Sequence, residues 1–417
     1  MNPSVLPEGD VAPADGSLPE VARTQLAARP FGVYVHVPYC RSRCGYCDFN
    51  TYTTAELGSE PGAGREAYLA AIAAEVRLSG DVLRGVPGGA APASHAGPPI
   101  STVFFGGGTP TLLPASAIGG LLARLGDEFG LAAGAEVTIE ANPETVGPAS
   151  LAALRSVGVN RISFGMQSAV GHVLAVLDRQ HTPGRALTAV EQARAAGFES
   201  ISLDLIYGTP GESAADWGTS LGAAVSSGVD HVSAYSLIVE PGTRLAARVR
   251  RGELPEPDPD ELADKYLQAD EALVAAGFAA YEVSNWARRG HECRHNLAYW
   301  RGDNWWGFGP GAHSHVGGVR WWNVLHPRTY SARLLAAARA SPAHARELLS
   351  AGERRVERVL LELRLAEGLD LAVLTATERA RAGEVVSSGL GFVRGSRLVL
   401  TLRGRLLADA VIRDLLD

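Results

Sequence analysis

Short apolar runs that alternate with longer amphipathic stretches constrain the fold of this chain more than any other feature. Such alternation is typical of βα units, in which successive strands join one parallel sheet and helices cover it. The strand candidates are residues 32–37, 102–105, 137–140, 161–164, 200–206 and 231–237. The helix candidates are residues 66–78, 115–128, 148–157, 185–196, 214–227 and 261–275. Six strands in this order predict an α/β fold, a partial or complete β/α barrel.

The 417 residues divide into four parts by composition. Residues 1–30 are rich in Pro, Ala, Glu and Asp, which predicts a flexible leader. Residues 31–277 form the predicted barrel, with a Gly/Pro/Ala-rich loop at 80–99. Residues 278–350 carry six of the seven tryptophans, which indicates a function different from that of the barrel. Residues 351–417 are expected to form a small C-terminal α/β module that resembles a winged helix.

Charge and hydropathy argue against several classes of protein. The net charge of −7 disfavours a general nucleic-acid binder, because neutralising phosphates requires clustered Lys and Arg. No apolar stretch approaches the roughly 18 residues needed to cross a bilayer. Residues 1–30 also lack the charged start and apolar core of a secretory signal. The sequence therefore predicts a cytoplasmic protein.

Three of the four cysteines, Cys40, Cys44 and Cys47, lie within eight residues directly after the first predicted strand. This spacing is too tight for the disulfide framework of a secreted protein, whereas cluster iron prefers soft thiolate ligands. Three ligands leave one iron of a cubane cluster open to a small chelating molecule. Structural zinc is the alternative. It normally requires four ligands, and the nearest candidates for the fourth are His36 and the distant Cys293.

Glycines and polar residues follow the other predicted strands. Residues 106–108 are three consecutive glycines, which allow backbone N–H groups to approach a ligand, although such a turn also serves as a tight connection. Glu140, Gln167 and Asp204 stand at the ends of the next strands, where barrel enzymes place functional side chains. Each alone fits a local capping role. Their registration on successive strands predicts a shared cavity.

The C-x₃-C-x₂-C motif formed by Cys40, Cys44 and Cys47 resembles the signature of the radical SAM superfamily. This resemblance implies a [4Fe–4S] cluster whose unique iron chelates S-adenosylmethionine. Most of the chain is also similar to the oxygen-independent coproporphyrinogen III oxidases, the HemN family, and to the related HemW-type heme chaperones. That similarity implies that ten residues contact S-adenosylmethionine. They are Tyr34, Tyr46, Gly107, Gly108, Thr109, Glu140, Gln167, Arg179, Asp204 and Ile238.

Two local features distinguish the two related families. The HemN family has an additional cysteine two residues after the third cluster cysteine, where this chain has Phe49, and HemW-type proteins lack that cysteine. Residues 295–300 match the H-N-x-x-Y-W motif that is associated with heme in HemW-type proteins. The match implies heme contacts from His295, Asn296, Tyr299 and Trp300. Both features favour the HemW type.

The sequence does not decide which residue would be the axial ligand of such a heme. Imidazole is an ordinary ligand of heme iron, and so is thiolate. Other candidates near His295 are Cys293, His313 and His315. Apolar surface for a porphyrin is expected from Trp300, Trp305, Trp306 and Phe308. The structural alternative is a tryptophan-rich core with an internally bonded histidine.

The resemblance to HemW-type proteins implies a heme chaperone that carries a cluster with bound S-adenosylmethionine and delivers heme to hemoproteins such as those of the respiratory chain. Catalytic turnover is then not essential, so enzyme activity stays undecided. The alternative is an oxidase that decarboxylates two propionates of coproporphyrinogen III by means of a deoxyadenosyl radical. Contact with membrane proteins and the choice between monomer and dimer are left open.

Overall fold

The computed structural model of the protein describes residues 6–58, 61–85, 95–179, 182, 184–336 and 340–417. Its strands are β1 (Asp10–Val11), β2 (Phe31–Val37), β3 (Tyr39–Cys40), β4 (Tyr52–Thr53), β5 (Ile100–Gly107), β6 (Leu131–Ala141), β7 (Arg161–Gln167), β8 (Ser200–Tyr207), β9 (His231–Ser236), β10 (Ala279–Ala280), β11 (Asn285–Ala287), β12 (Asn304–Phe308), β13 (His313–Val316), β14 (Val319–Asn323), β15 (Ala343–Leu348), β16 (Leu369–Asp370), β17 (Gly391–Arg394) and β18 (Arg397–Leu400).

The α-helices are α1 (Glu20–Thr24), α2 (Thr54–Leu57), α3 (Arg65–Arg84), α4 (Ala115–Phe129), α5 (Pro148–Ser156), α6 (Gly171–Val176), α7 (Arg185–Ala195), α8 (Ala214–Ser226), α9 (Arg244–Arg250), α10 (Pro259–Ala275), α11 (Arg294–Trp300), α12 (Pro327–Leu335), α13 (Ala351–Glu362), α14 (Ala376–Ser387), α15 (Leu402–Leu406) and α16 (Ala408–Leu416). Within the described residues, none of these helices combines the length and the apolar composition that a membrane span requires.

One 13-stranded sheet runs through most of the chain, in the order β1-β15-β14-β13-β12-β2-β5-β6-β7-β8-β9-β11-β10. Its centre consists of six parallel strands, β2 and β5 to β9, which are the six strands predicted from the sequence. Helices α3, α4, α5, α7 and α8 lie in the connections between them. The outer strands β1 and β10 do not pair with each other, so the barrel is partial and open.

Helix α4 illustrates why the predicted helices form. Its buried residues recur at helical spacing and so make one apolar face. They are Ile118, Leu121, Leu122, Leu125 and Phe129. Phe129 packs against Phe31 of β2, and burying a side chain of this kind contributes roughly 1.5–3 kcal/mol. Gly130 follows with a positive φ, a conformation that ends many helices because glycine adopts it without strain.

Residues 6–30 pack against the body of the protein, and the prediction of a flexible leader is wrong for them. Strand β1 pairs with β15, and Ala22 and Leu26 are buried in the main hydrophobic core. The prediction used composition alone, which does not register contacts with strands far along the chain. In the predicted loop at 80–99, α3 continues to Arg84, and residues 86–94 lie outside the described residues.

The tryptophan-rich segment extends the central sheet. Strand β12 pairs in parallel with β2, and β13, β14 and β15 follow as antiparallel strands. Four of its tryptophans are buried: Trp286, Trp306, Trp321 and Trp322. Phe308 is also buried, so that neither it nor Trp306 offers the open apolar surface expected for a porphyrin. Most of the aromatic residues in this segment therefore stabilise the core.

The last part of the chain is an α/β module with its own hydrophobic core. Helices α13, α14 and α16 pack with a three-stranded antiparallel sheet in the order β16-β18-β17. Arg405 connects this module to α10, because its guanidinium donates hydrogen bonds to Tyr266 and Asp270. The α/β class predicted for this region is confirmed.

Candidate functional site

A cavity of about 1280 Å³ opens at the carboxyl ends of the parallel strands. We call it the cysteine cavity, because Cys40, Cys44 and Cys47 all line it. All ten residues expected to contact S-adenosylmethionine also line it, as do His295, Asn296 and Tyr299. Trp300 does not, although it was predicted with them. The structure thus brings together sixteen of the seventeen predicted site residues.

The loop that carries the cysteines is held from several sides. Cys40 belongs to β3, which pairs with β4. The N–H of Gly45 donates to the carbonyl of Leu177, and the carbonyl of Gly45 accepts from the N–H of Leu245. A Cβ atom at Gly45 would lie 2.6 Å from an Asp178 oxygen, so a larger residue there would displace the Asp178 carboxylate. The loop is therefore preformed around its three thiols.

The three cysteines are free thiols, each partly exposed. Arg179 donates a hydrogen bond to Cys44 Sγ at 3.3 Å, and the hydroxyl of Thr109 points to Cys40 Sγ at 3.9 Å. Burial raises the pKa of Cys40, and it raises the pKa of Cys47 to about 11, so these groups are protonated without a metal. Metal ligation requires the thiolates, and binding therefore releases protons.

The donor set fits a cluster better than zinc. Within the described residues, no three Cys, His, Asp or Glu side chains converge on one position suited to a single metal ion. A cluster has no such requirement, because each thiolate ligates a different iron. His36, a candidate fourth zinc ligand, is buried with one ring nitrogen bonded to the Tyr34 hydroxyl and the other to the Asn50 carbonyl.

The glycine loop after β5 allows close backbone packing. Gly107 has φ +105°, and a Cβ there would lie 2.6 Å from the His36 ring, while one at Gly108 would lie 2.5 Å from the Tyr39 carbonyl oxygen. The N–H groups of Gly107, Gly108 and Thr109 donate to Glu140, Val37 and Tyr39. In this conformation the three N–H groups are engaged within the protein, as in the tight connection considered from the sequence, and the contacts of this loop with S-adenosylmethionine stay a prediction.

Two carboxyl groups face the same cavity. Burial, followed by the nearby Asp204, raises the pKa of Glu140 to about 8, and the Gly107 N–H only partly opposes this. Burial also raises the pKa of Asp204, although the hydroxyl of Ser163 donates to it at 2.8 Å. Two such groups in a poorly solvated space favour a cationic ligand, which would stabilise the ionised forms of both.

Gln167 and Arg179 lie between this acidic pair and the cysteine loop. Gln167 has φ +66°, a left-handed conformation that costs of order 1–3 kcal/mol and is typical of functional sites. Arg179 donates to the Gly165 carbonyl at 2.8 Å, and a Cβ at Gly165 would approach both side chains within 3 Å. Gly165 therefore makes room for the two polar side chains that project into the cavity.

Aromatic and aliphatic side chains form the remaining wall and the mouth. Tyr34 lies beside Phe104, with ring centroids 6.3 Å apart. Tyr46 packs against the small apolar cluster that includes Leu177. Ile238 and Phe49 line the same cavity but are 64% and 58% exposed, which places them at its mouth. An apolar rim of this kind suits a ligand or partner with its own apolar surface.

His295 lies at the far side of the cavity and is fully engaged within the protein. One ring nitrogen bonds Thr102 Oγ1 at 2.8 Å, and the other bonds the hydroxyl of Tyr299 at 2.8 Å. Burial lowers the pKa of His295 to about 3, so the ring is neutral. Asn296 donates to Tyr281 and Glu282. In this conformation His295 has no nitrogen available for iron, which matches the structural alternative considered for it.

Cys293 is also occupied. Its thiol is buried and points to Glu136 Oε1 at 3.7 Å, and burial raises its pKa to about 12. The neighbouring Glu136 carboxyl further disfavours the thiolate that iron would require. Glu136 also accepts hydrogen bonds from the N–H groups of Arg294 and His295, so it anchors the start of α11.

Several cavity residues were missed by reasoning from the sequence. Arg161, Ser163, Ser202, His231 and Ser233 also line the cavity. They occupy alternate positions of β7, β8 and β9, between apolar residues such as Ile162, Phe164 and Leu203 that are buried. Because successive strand residues point to opposite faces, this alternation was a readable signal of a polar interior.

Comparisons with known proteins agree with this geometry. The radical SAM superfamily matches residues 34–222. The chain is 54% identical to the heme chaperone HemW of Mycobacterium tuberculosis over 94% of this chain and 96% of that one. It is 35% identical to HemW of Synechocystis sp., covering 87% and 85%. It is 37% identical to HemW of Escherichia coli, covering 67% and 70%.

A solved structure has the same fold. Coproporphyrinogen III oxidase, HemN, of Escherichia coli superposes with a TM-score of 0.78 and covers 94% of this chain and 92% of its own. The two sequences are 22% identical, so the likeness shows a shared fold and no more.

Proposed function

Because the chain belongs to the family of HemW heme chaperones, within the radical SAM superfamily, we propose that it binds heme and hands it to hemoproteins. The likeness to a heme chaperone along 94% of the chain carries this proposal. The likeness to the oxidase HemN covers a similar span at much lower identity. Phe49 also stands at the cavity mouth where the oxidase family has an additional cysteine.

Membership of the radical SAM superfamily implies a [4Fe–4S] cluster and S-adenosylmethionine. We assign the cluster to Cys40, Cys44 and Cys47, whose thiols line one cavity with no fourth cysteine beside them in the loop. When bound, the cluster supplies an iron with an open coordination position and a site for one electron. Arg179 stabilises the sulfur of Cys44 through its hydrogen bond.

We place S-adenosylmethionine in the remainder of the cysteine cavity. The carboxyl groups of Glu140 and Asp204 suit its positive charges, since a cation restores their ionised forms. Gln167 and Arg179 offer an amide and a guanidinium to polar groups of the ligand. Tyr34, Tyr46 and Ile238 provide aromatic and aliphatic contacts. The glycine loop contributes by letting β5 approach β2 closely.

The proposed recipients are hemoproteins such as those of the respiratory chain. A chaperone must release its cargo, so a partly exposed heme is favoured over a fully enclosed one. Transfer is measured by mixing heme-loaded protein with an apo-hemoprotein and following the change in Soret absorbance. Retention of all heme by the chain in the presence of excess acceptor would contradict the transfer step.

The test of the proposed function is an anaerobic reconstitution with iron and sulfide. Iron analysis, heme titration by Soret absorbance and incubation with coproporphyrinogen III follow on the same sample. We expect a cluster, heme uptake and no decarboxylation. Cys44→Ala should abolish the cluster and leave most heme uptake, whereas Cys293→Ala should keep the cluster. A wild-type protein that takes up no heme, or that decarboxylates coproporphyrinogen III at catalytic rates, would overturn the proposal.

A further inference from the structure

Arg161 is a buried cation without a carboxylate partner in direct contact. It is the first residue of β7, lines the cysteine cavity and is 3% exposed. Its Nη1 donates a hydrogen bond to the carbonyl oxygen of His291 at 2.8 Å. Within the described residues, no Asp or Glu oxygen lies within 4.0 Å of its guanidinium. Burial raises the pKa of Asp204, and Arg161 is near enough to oppose this rise, but the Asp204 carboxyl group accepts from Ser163. The protein interior thus holds a positive charge without a direct ion pair, which is costly unless a ligand supplies the opposite charge.

The remaining donors of Arg161 face the cavity. Its Nε and Nη2 have no hydrogen-bond partner among the described residues, and both keep accessible surface. Because the side chain is otherwise enclosed and lines the cavity, this surface faces into it. Another arginine of the cavity, Arg179, is engaged, since it donates to Cys44 Sγ and to the Gly165 carbonyl. Arg161 therefore offers two adjacent N–H groups, the edge with which a guanidinium binds a carboxylate.

Arg161 lies beside the start of α11, the helix that carries the predicted heme motif. His291, which accepts the Arg161 hydrogen bond, is three residues before the first residue of this helix. Asn296 of α11 donates to the Tyr281 hydroxyl, which also bonds His231. Asn296, Tyr281 and His231 line the cavity together with Arg161. Burial lowers the pKa of His231 well below its usual value, so its ring is neutral. Arg161 therefore supplies the positive charge at this end of the cavity.

The cysteine cavity has room for a second ligand. Its volume of about 1280 Å³ exceeds the roughly 300–1,000 Å³ that is usual for a small-molecule site. Strand β7 runs along it from Arg161 to Gln167, and a strand rises about 3.3 Å per residue, so these two positions are roughly 20 Å apart. Gln167 belongs to the end with the cysteines, where we place S-adenosylmethionine. The end next to α11 is left for another ligand.

Flat aromatic side chains accompany Arg161 at the α11 end of the cavity. Phe104 and Tyr299 line it, and both lie against the ring of His295, with centroid distances of 5.3 Å and 4.8 Å. Aromatic surface of this kind suits a planar ring system. A planar ligand that also bears a carboxylate fits this end of the cavity, and a porphyrin with propionates has both properties.

We propose that Arg161 binds a carboxylate of the heme cargo at the end of the cysteine cavity next to α11. The N–H groups of Nε and Nη2 donate to the oxygens of one propionate, and the hydrogen bond from Nη1 to His291 holds the guanidinium in place. This inference rests on the proposed function, since it names a residue that recognises the cargo of the chaperone. It keeps the predicted heme motif at the heme, because His295, Asn296 and Tyr299 line the same cavity.

Heme titration of purified full-length variants, followed by Soret absorbance, tests the inference. Arg161→Gln should weaken heme binding at least about tenfold, because a charged hydrogen bond to the propionate is lost. Heme dimethyl ester should bind equally well to the variant and to the wild type, since the ester has no carboxylate. The position of the Soret band should stay the same, because Arg161 is not a ligand of the iron.

Arg294→Gln is the matched control. Arg294 stands at the start of α11, but it is exposed and does not line the cavity. Its loss should leave heme affinity within about twofold of the wild type, because salt screens exposed charges. Arg161→Lys keeps the inference testable if the glutamine variant is unstable, since it retains the charge and should bind heme more tightly than Arg161→Gln. Equal losses for heme and its dimethyl ester would show that Arg161 only supports the shape of the site, and would overturn the inference.

The outcomes separate this inference from the proposed function. Wild-type heme affinity in Arg161→Gln would overturn the role of Arg161, while heme uptake by the wild type still supports the chaperone. S-adenosylmethionine also bears a carboxylate, so its affinity for the cluster-loaded variant is measured by isothermal titration and should stay at the wild-type value. A loss confined to S-adenosylmethionine would assign Arg161 to that ligand and overturn the inference. Absence of heme uptake by the wild type would overturn the proposed function itself.

Discussion

The cysteine cavity differs from a smaller cleft of about 380 Å³ beside α13 in the charged side chains that each one buries. The first places Glu140 and Asp204 in a poorly solvated interior, and the second surrounds His315 with guanidinium groups. The acidic residues project from the inner face of parallel strands, whereas several arginines of the cleft belong to α13. A sulfonium and an ammonium group suit the first site, because a cation restores the ionised forms of its carboxyl groups. Most guanidinium groups of the second are already paired with carboxylates, so its charges are largely compensated within the protein.

The largest expected effect comes from neutralising the acidic pair. The double variant Glu140→Gln/Asp204→Asn should weaken S-adenosylmethionine binding about a thousandfold, since each charged hydrogen bond contributes roughly 1.5–3 kcal/mol. Isothermal titration of the cluster-loaded protein with S-adenosylmethionine checks this, and an unchanged affinity would show that the acidic pair does not contact the ligand.

A buried carboxyl group that joins α3 to the tryptophan-rich segment should set a pH dependence of stability. Glu75 of α3 accepts hydrogen bonds from Gly309, Asn323 and Tyr330, and burial raises its pKa from 4.5 to about 7. Between these values the unfolded chain ionises first, so the folded state binds more protons. Stability should therefore fall by about 3 kcal/mol as pH rises from 4.5 to 7 and level off above that.

Glu75→Gln should flatten this pH dependence in urea unfolding experiments. Glu66→Gln, on the exposed side of the same helix, is the control and should keep the slope. An unchanged slope in Glu75→Gln would show that other groups dominate the titration.

The ionisation of Glu140 should make binding at the cysteine cavity depend on pH. Its pKa is raised to about 8, and a cationic ligand binds the ionised form better. Affinity for S-adenosylmethionine should therefore rise about tenfold from pH 7 to pH 8 and above, then level off. Glu140→Gln should lose this rise. If the wild type and the variant show the same pH profile, Glu140 is not the titrating group.

The smallest expected effect concerns the cluster potential. Arg179 donates to Cys44 Sγ, and hydrogen bonds to cluster sulfurs stabilise the reduced, more negative state. Arg179→Gln should lower the midpoint potential by an amount that changes the reduced to oxidised ratio up to tenfold, about 59 mV for one electron. Potentiometry followed by electron paramagnetic resonance measures it.

Arg244→Gln is the control, since Arg244 pairs with Asp178 beside the same loop and donates to the Arg43 carbonyl. Equal shifts in the two variants would indicate a general effect of charge in place of the specific hydrogen bond to sulfur.

The six parallel strands and most helices could be predicted because their signals are local. In β8, for example, Ile201, Leu203 and Leu205 are buried on one face of the strand. Apolar residues at every second position mark such a strand in the sequence. The candidate site was predictable for a related reason: residues at the carboxyl ends of parallel strands meet at one edge of the sheet. Cys40, Glu140 and Asp204 accordingly share one cavity.

The ordered structure of the leader, by contrast, could not be predicted from local signals. Its strand β1 pairs with β15, more than 300 positions later in the chain, so its order depends on a partner that composition does not reveal. The glycine loop was ambiguous for the same reason, since only the approach of β5 to Tyr39 and His36 shows why Gly107 and Gly108 lack side chains.

Spacing in the sequence determined that three thiols stand in one loop, and periodicity determined the parallel sheet that carries them. Both follow from rules that act over a few residues. The tertiary structure decided which histidine has a free nitrogen, because a ring nitrogen is satisfied by whichever group packs against it. Thr102 reaches His295 across 193 positions, and the corresponding contact is absent at His315 Nε2. Hydrogen-bond partners of this kind are set by the packing of distant elements, and no local pattern encodes them.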